Sequence, residues 1–371
     1  MAPETMNMFN ADIMGKSPTA ANAPSPARAA LRGDDKEMLK AAAGMTRDLN
    51  APDAKIFWTD MLGSVVVGYV ALAICFTVVS GVTPYLAGII AVLALYRAGS
   101  FIHEISHIKK GDLPYFKLAW NALVGVPLLA PSFMYEGVHN QHHAKTKYGT
   151  LEDPEYLPLA LMKPWTLPVF LIVGAIAPVM MLGRFAILAP LSLLFPPLRR
   201  EVVAKYSGLQ INPHFRRKPP EGEAARQWHW QEAAASVWSL SLIAAMATGV
   251  LPIRTFLIIL GVLSGVMFLN QVRTLVAHFW ENDGEPMSVT EQYLDSVNVP
   301  PPGLLPELWA PVGLRYHALH HLLPGVPYHN LGKAHARLAS ELGPDSAYHQ
   351  TTRRGLIRLV GHLLSASWKQ R

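Results

Sequence analysis

Between Met61 and Tyr96 the chain runs 36 residues without an Asp, Glu, Lys or Arg. At ~1.5 Å per helical residue this exceeds one crossing of a ~30 Å hydrocarbon core and nearly fits two short ones. Gly81-Val-Thr-Pro84 sits near its middle, where Gly and Pro favour a turn, so the pattern predicts a helical hairpin over about 58–80 and 84–102. Two more charge-free runs, Ala233–Ile253 and Thr255–Val272, meet at Leu251-Pro-Ile-Arg254 and predict a second hairpin. Two further apolar segments are less regular. Phe116–Tyr135 is broken by Gly125, Pro127 and Pro131, and Trp165–Phe195 carries Pro168, Pro178, Pro190 and a central Arg184. A mid-span charge and missing helical bonds disfavour a crossing, so 165–195 is expected in the interface. Two hairpins then return the chain to the side on which it starts.

Composition agrees with the pattern. Of the 371 residues, 51% are hydrophobic and 16% charged, against roughly a quarter charged in soluble domains. The expected fold class is an all-α integral membrane protein with two transmembrane hairpins, four spans in all, and interfacial helices. Residues 1–55 contain no contiguous apolar core of a signal peptide. They read as a flexible tail with a short helix near Asp34–Met45. Residues 56–340 form the membrane domain, and 341–371 a polar C-terminal tail. The single cysteine, Cys75, falls in the first span and excludes an intramolecular disulfide.

Net charge is +6, and the cations cluster. Arg28, Arg32, Lys36, Lys40, Arg47 and Lys55 precede the first span, Lys109 and Lys110 follow the second, and a middle loop holds Arg199, Arg200, Lys205, Arg216, Arg217, Lys218 and Arg226. The positive-inside tendency places all three regions, and both termini, in the cytoplasm. Beside membrane spans, such basic stretches do not read as a nucleic-acid surface.

Fifteen histidines are present, and eight lie in three short clusters: HEISH (His103, His107), HNQHH (His139, His142, His143) and HALHH (His317, His320, His321). On a helix, positions i, i+3 and i+4 share a face, so each cluster projects its imidazoles one way. Neutral imidazole binds iron, copper, zinc and nickel alike. Taken alone, HEISH is also H-E-x-x-H, two zinc ligands one turn apart with Glu104 as base. Eight imidazoles exceed the three that a catalytic zinc takes from protein and suit a dinuclear centre. A metal transporter would place ionisable groups inside the spans, whereas these clusters lie at their ends.

With those boxes in that order, the chain resembles the membrane fatty acid desaturase and hydroxylase superfamily, most of all a bacterial fatty acid desaturase. GTLEDPEYL after the second box, NQVRTLVAHFW, and LWAPVGLRYHALHHLLPGVPYHNLGKAH carry the resemblance further, over about residues 60–340. The resemblance implies a cytoplasmic, histidine-rich cap holding two iron ions, with the eight box histidines as ligands. It implies a ninth, His278, shortly after the last span. In some relatives a polar residue one turn earlier reaches the metal through water; here that position is Thr274, with Asn270 a further turn away. No catalytic residue beyond the ligands is implied. Glu104 then loses its role as base and either orients an imidazole or faces solvent. Asp153 and Glu152 line the catalytic face, support ligands, or stay solvated. His329 is a candidate support for the third box. His214, His229, His335, His349 and His362 match no box.

The activity implied is O2-dependent desaturation, giving a cis double bond in a lipid acyl chain. Hydroxylation or ketone formation on the same scaffold is the rival, and box spacing does not separate them. Trp120, Phe133, Met134 and Tyr135 are candidates to line an acyl tunnel, with core packing as their other role. No haem- or flavin-binding module and no G-x-G-x-x-G is visible, so two electrons come from an external ferredoxin or cytochrome b5 type donor. Loop 199–226 and Lys109–Lys110 suit an acidic carrier or anionic lipid. The implied location is a bacterial inner membrane.

Overall fold

The computed structural model describes residues 34–370. From the N-terminus its helices are α1 (Lys36–Met45), α2 (Ala54–Thr77), α3 (Thr83–His107), α4 (Phe116–Trp120) and α5 (His139–His142). Next come α6 (Thr166–Gly183), α7 (Ala189–Leu194), α8 (Pro196–Lys205), α9 (Gly222–Ala247) and α10 (Ile253–Leu275). The last five are α11 (Val289–Asp295), α12 (Pro306–Trp309), α13 (His317–Leu322), α14 (Tyr328–Glu341) and α15 (Leu356–Trp368). The described residues contain no strand, only isolated bridges. The chain is an all-α integral membrane protein. It forms two units, Asp53–His139 with Ile172–Gln271, and a histidine-rich one made of the chain up to Pro52, Asn140–Leu171 and Val272 onward.

In the first unit, α2 and α3 make the expected hairpin. Gly81 turns the chain between them at φ 74°, a conformation open to Gly at no steric cost. The charges bounding the apolar run, Asp60 and Arg97, pair with each other at 2.7 and 2.6 Å. This bidentate fork fixes the register of one helix against the other. Gly68 lets Leu95 approach so closely that a Cβ there would lie 2.6 Å from its side chain. At the far end of the pair, Phe57, Phe101 and Phe116 pack as a ring triad with centroids 5.5–6.0 Å apart. Helix α3 runs on through HEISH, so the first box is its last turn.

Among the described residues, four helices are long and apolar enough to cross a membrane: α2, α3, the 29-residue stretch Thr166–Leu194, and α10. Helices α9 and α10 occupy the two runs of the expected second hairpin, and of these α10 is a span candidate. Helix α9 starts at Gly222, and Glu223, Arg226, Gln231 and Glu232 make its first half polar. The stretch expected in the interface, 165–195, is instead a span candidate, continuous from α6 through a π turn (Arg184–Leu188) into α7. Arg184 does not break it because its charge is turned into protein. The guanidinium is 2% exposed and reaches Glu232 at 2.5 Å, Ser207 Oγ at 2.9 Å and the Tyr206 carbonyl at 2.9 Å. Gly174 and Gly265 permit close helix approach, since a Cβ would lie 2.7 Å from Gln271 and Val92 respectively.

The histidine-rich unit has a core around Tyr293, Tyr316, Leu319, Leu331 and Tyr348, joined by Met38, Ala42 and Leu49 from the N-terminal segment. The expected short helix is α1, capped by the Asp35 side chain on the Met38 N–H at 2.9 Å. A flexible tail was the expectation for 1–55. Its residues 1–33 lie outside the described ones, while 34–52 pack and bond: Asp34 pairs with Lys145 at 2.6 Å, and the Leu49 carbonyl accepts from Asn330 at 2.9 Å. The C-terminal α15 is also anchored. Leu359 joins a core with Val276, Phe279, Val297 and Val299, and Ser367 Oγ donates to the Met162 carbonyl at 2.7 Å.

Candidate metal centre

Helix α13 carries all three histidines of HALHH on six buried residues. His278 follows the end of α10, where its backbone pairs antiparallel with Ser296. The flanking bonds Phe279 N–H to Asp295 O (2.7 Å) and Val297 N–H to Ala277 O (2.9 Å) hold that crossing. His142 ends α5 and His143 follows it. The histidine-rich unit thus brings together His142, His278, His317 and His321, each buried, with candidate ligand atoms within 4.8 Å of one another. Nε2 of His317 lies 3.0 Å from Nε2 of His278 and 3.2 Å from that of His321. Two nitrogens ~2.1 Å from one ion stand roughly 3 Å apart when they meet it near a right angle. The nitrogens therefore fit a shared cation.

Each of three ligand candidates is held from behind. Nδ1 of His142 sits 3.0 and 2.9 Å from the two oxygens of Asp153, whose carboxylate also accepts the Gly149 and Glu155 N–H groups at 2.8 Å. Nδ1 of His278 meets the Tyr148 hydroxyl at 2.8 Å and Ser296 Oγ at 3.1 Å. Tyr148 in turn donates to Asp295 at 3.0 Å. Nδ1 of His317 lies 2.9 Å from Arg273, and a guanidinium only donates.

Electrostatics favour the neutral form at His278 and His321. Burial, with the charge of neighbouring His142 and Arg273 added, drives His278 well below the ordinary imidazole pKa. Burial does the same to His321, helped by His143 and His142. His142 goes the other way: burial lowers it, but the charge and hydrogen bond of Asp153 more than offset this and raise it.

His143 and His320 form a further pair in the same unit, Nε2 to Nε2 at 3.2 Å, with His143 stacked on His321 at 4.4 Å. In the hairpin unit, His103, His107 and His139 converge with ring centroids 4.6–5.2 Å apart. The Tyr135 hydroxyl holds His139 Nδ1 at 2.8 Å, and Glu104 Oε1 is 3.4 Å from His103 Nδ1. Glu104 is 4% exposed, which removes the solvent-facing option and leaves the orienting one. Asp153 is buried behind His142, whereas the Glu152 side chain is largely exposed beside Lys147. Helix α5 carries box residues of both units, since the division falls between His139 and Asn140.

The tunnel candidates divide. Trp120 and Met134 are core, Trp120 donating to the Ala98 carbonyl at 2.8 Å. Phe133 stacks on Trp228, and Tyr135 is a ligand support. Sequence reasoning did not reach Tyr148, Asp295, Ser296 or Arg273. Tyr148 stands directly before GTLEDPEYL and Arg273 within NQVRTLVAHFW, so position beside the marked segments was the available signal.

Comparison with known proteins agrees with this geometry. A relative named "Ceramide hydroxylase" from Caulobacter vibrioides (strain NA1000 / CB15N) is 49% identical over 334 residues, covering 90% of this chain and 95% of the relative. The family described as Fatty acid desaturase matches residues 80–353, from the first turn of the hairpin to beyond the third box. The chain therefore belongs to the fatty acid desaturase family, whose members are di-iron oxidoreductases of acyl chains.

Proposed function

We propose that the protein is an O2-dependent hydroxylase of an acyl chain in a ceramide-class lipid, with His103, His107, His139, His142, His143, His278, His317, His320 and His321 holding two irons. The observation that carries the reading is the convergence of imidazoles, four of them buried with ligand atoms within 4.8 Å of one another. The 49% identity to a ceramide hydroxylase favours hydroxylation. Desaturation, put first by the resemblance, is the second reading, supported by the family match.

Bound iron would activate O2, the oxidant that an unactivated C–H bond requires. For hydroxylation, one oxygen atom enters the C–H bond and the other leaves as water, with two electrons and two protons consumed. Desaturation would instead release two waters and leave a double bond. The chain's own residues orient the ligand rings: Asp153 on His142, Tyr148 and Ser296 on His278, Tyr135 on His139. Fixing one methylene beside the centre sets which carbon reacts, because methylenes are chemically alike.

Electrons come from a separate acidic carrier of ferredoxin or cytochrome b5 type. Lys109, Lys110, Arg200, Arg216, Lys218 and Arg226 are exposed and suit its docking. Arg199 and Arg217 of the same basic loop are committed inside, to Glu232 and to the Glu136 carbonyl. The same cations support a cytoplasmic face at a bacterial inner membrane.

Lipid mass spectrometry of a heterologous host tests the reading, with His320→Ala as control. A ceramide gaining one oxygen supports hydroxylation, and one losing two hydrogens supports desaturation. About one zinc and negligible iron per chain would overturn both.

A further inference from the structure

The histidine centre does not use a second buried polar array, which lies in the hairpin unit. Two π-helical turns, Asn121–Gly125 and Arg184–Leu188, interrupt regular helix, and each delivers a buried polar side chain to it. Such turns are rare and recur at functional sites. Asn121 bonds Ser132 through both ends of its amide, at 2.8 and 2.9 Å. Gln231 Oε1 accepts the Phe133 N–H at 2.9 Å. Phe133 links the halves: its ring stacks on Trp228 at 4.8 Å and lies 5.8 Å from the Arg184 guanidinium.

Around Phe133 three N–H groups are buried without an acceptor: Trp228 Nε1, Gln231 Nε2 and Arg184 Nη1. None of these residues is more than 2% exposed. Ser239 Oγ, two turns beyond Gln231 on the buried side of α9, has no partner either. Buried donors without acceptors oppose folding. The carboxylates within reach are already engaged, Glu232 by Arg184 and Arg199 and Glu136 by Lys117. All three unmatched groups of the cluster donate, so their complement is a group rich in acceptor oxygens. Phe133 packs against Phe185 and Trp228 beside them, with Arg184 over Phe185 and Arg217 over Trp228, so the donors sit in an aromatic setting that suits a ligand joining acceptor oxygens to an apolar body.

We infer that Trp228, Gln231 and Arg184 form the recognition site for the polar end of the lipid substrate, their N–H groups meeting the carbonyl and hydroxyl oxygens of an amide-linked lipid. The inference rests on the ceramide-class reading and adds the residues that select an amide-linked acyl chain over one lacking that carbonyl. Two residues beyond Phe133, Tyr135 braces His139, so this site and the second box share one segment of chain.

Trp228→Phe deletes one N–H and keeps a ring against Phe133 and under the Arg217 guanidinium. Gln231→Glu keeps the acceptor for the Phe133 N–H and replaces the donor. The full chain in lipid nanodiscs is titrated with a radiolabelled ceramide and with its ether analogue, which lacks the amide carbonyl. Each variant is expected to bind ceramide about 10-fold more weakly, as for one lost buried hydrogen bond. Ether binding and iron per chain are expected to stay unchanged. Equal ceramide binding by wild type and both variants overturns the inference, as does equal weakening for ceramide and ether, or a wild type that does not bind ceramide. Turnover is scored separately: a wild type that binds ceramide but forms no oxidised product overturns the functional reading and leaves the recognition site standing.

Discussion

Both oxygens of the Asp153 carboxylate face Nδ1 of His142, at 3.0 and 2.9 Å, in a fully buried position. Two backbone N–H groups, of Gly149 and Glu155, hold the same carboxylate in place. The contact keeps a proton on Nδ1 and turns Nε2 toward the other ligands, as supporting carboxylates do at histidine metal sites. Asp153→Asn is expected to weaken metal binding about 10–100-fold while the helices persist. Iron per chain against a graded chelator reads this out, and wild-type retention throughout would show that the ring is oriented by other contacts.

The buried ion pair of Arg184 and Glu232 gives a second test, of how a charge survives in an apolar segment. Glu232→Leu strands the buried Arg184 guanidinium and frees the half-buried Arg199, and is expected to cost about 3–5 kcal/mol, chiefly because the buried charge loses its compensation. Arg184→Met combined with Glu232→Leu is expected to recover most of that loss, since an apolar pair avoids the desolvation cost. Unfolding in mild detergent, compared across the two single variants and the double, measures it. Additive losses would mean the two side chains act independently.

Acid sensitivity has an identifiable contributor away from the ligands. Burial, with the charges of His349 and Arg315, holds His335 below the ordinary imidazole pKa of 6.5, and its Nδ1 lies 2.8 Å from the Tyr348 hydroxyl. Below 6.5 the unfolded chain takes up a proton at this position before the folded chain does. Stability from this group is therefore complete above 6.5 and is lost as pH falls toward the lowered value. His335→Gln is expected to flatten the decline in melting temperature between about pH 7 and about pH 5.5. An unchanged slope would remove His335 from the account.

Gly68 tests the packing of the first hairpin. A Cβ at this position would meet Leu95 Cδ2 at 2.6 Å and the Leu95 backbone nitrogen at 3.3 Å. Gly68→Ala can be relieved by turning the Leu95 side chain, so a loss of about 1–3 kcal/mol is expected. Gly68→Leu cannot, and is expected to part the helices and abolish folded yield. Size-exclusion profiles of both variants decide it, and a normal Gly68→Leu protein would refute the close approach.

Much of this protein is legible along the chain because its causes are local. A charge-free run of 36 residues with a Gly-Pro turn dictates a hairpin, and the structure closes it with the ion pair of the bounding Asp60 and Arg97. The spacing in HEISH, HNQHH and HALHH sets imidazoles on shared helix faces, and the recurrence of the pattern marks them as a set. The character of 165–195 and the supports of the ligands depend on partners distant in sequence. Arg184 looks prohibitive until Glu232, 48 residues on, neutralises it. Tyr148 is an ordinary loop tyrosine until His278, 130 residues on, meets its hydroxyl. Local sequence determines where apolar surface and imidazoles point, through helix periodicity. Only tertiary packing decides which buried charge finds a counter-charge and which ring nitrogen finds its support, because both depend on distances that no spacing along the chain records.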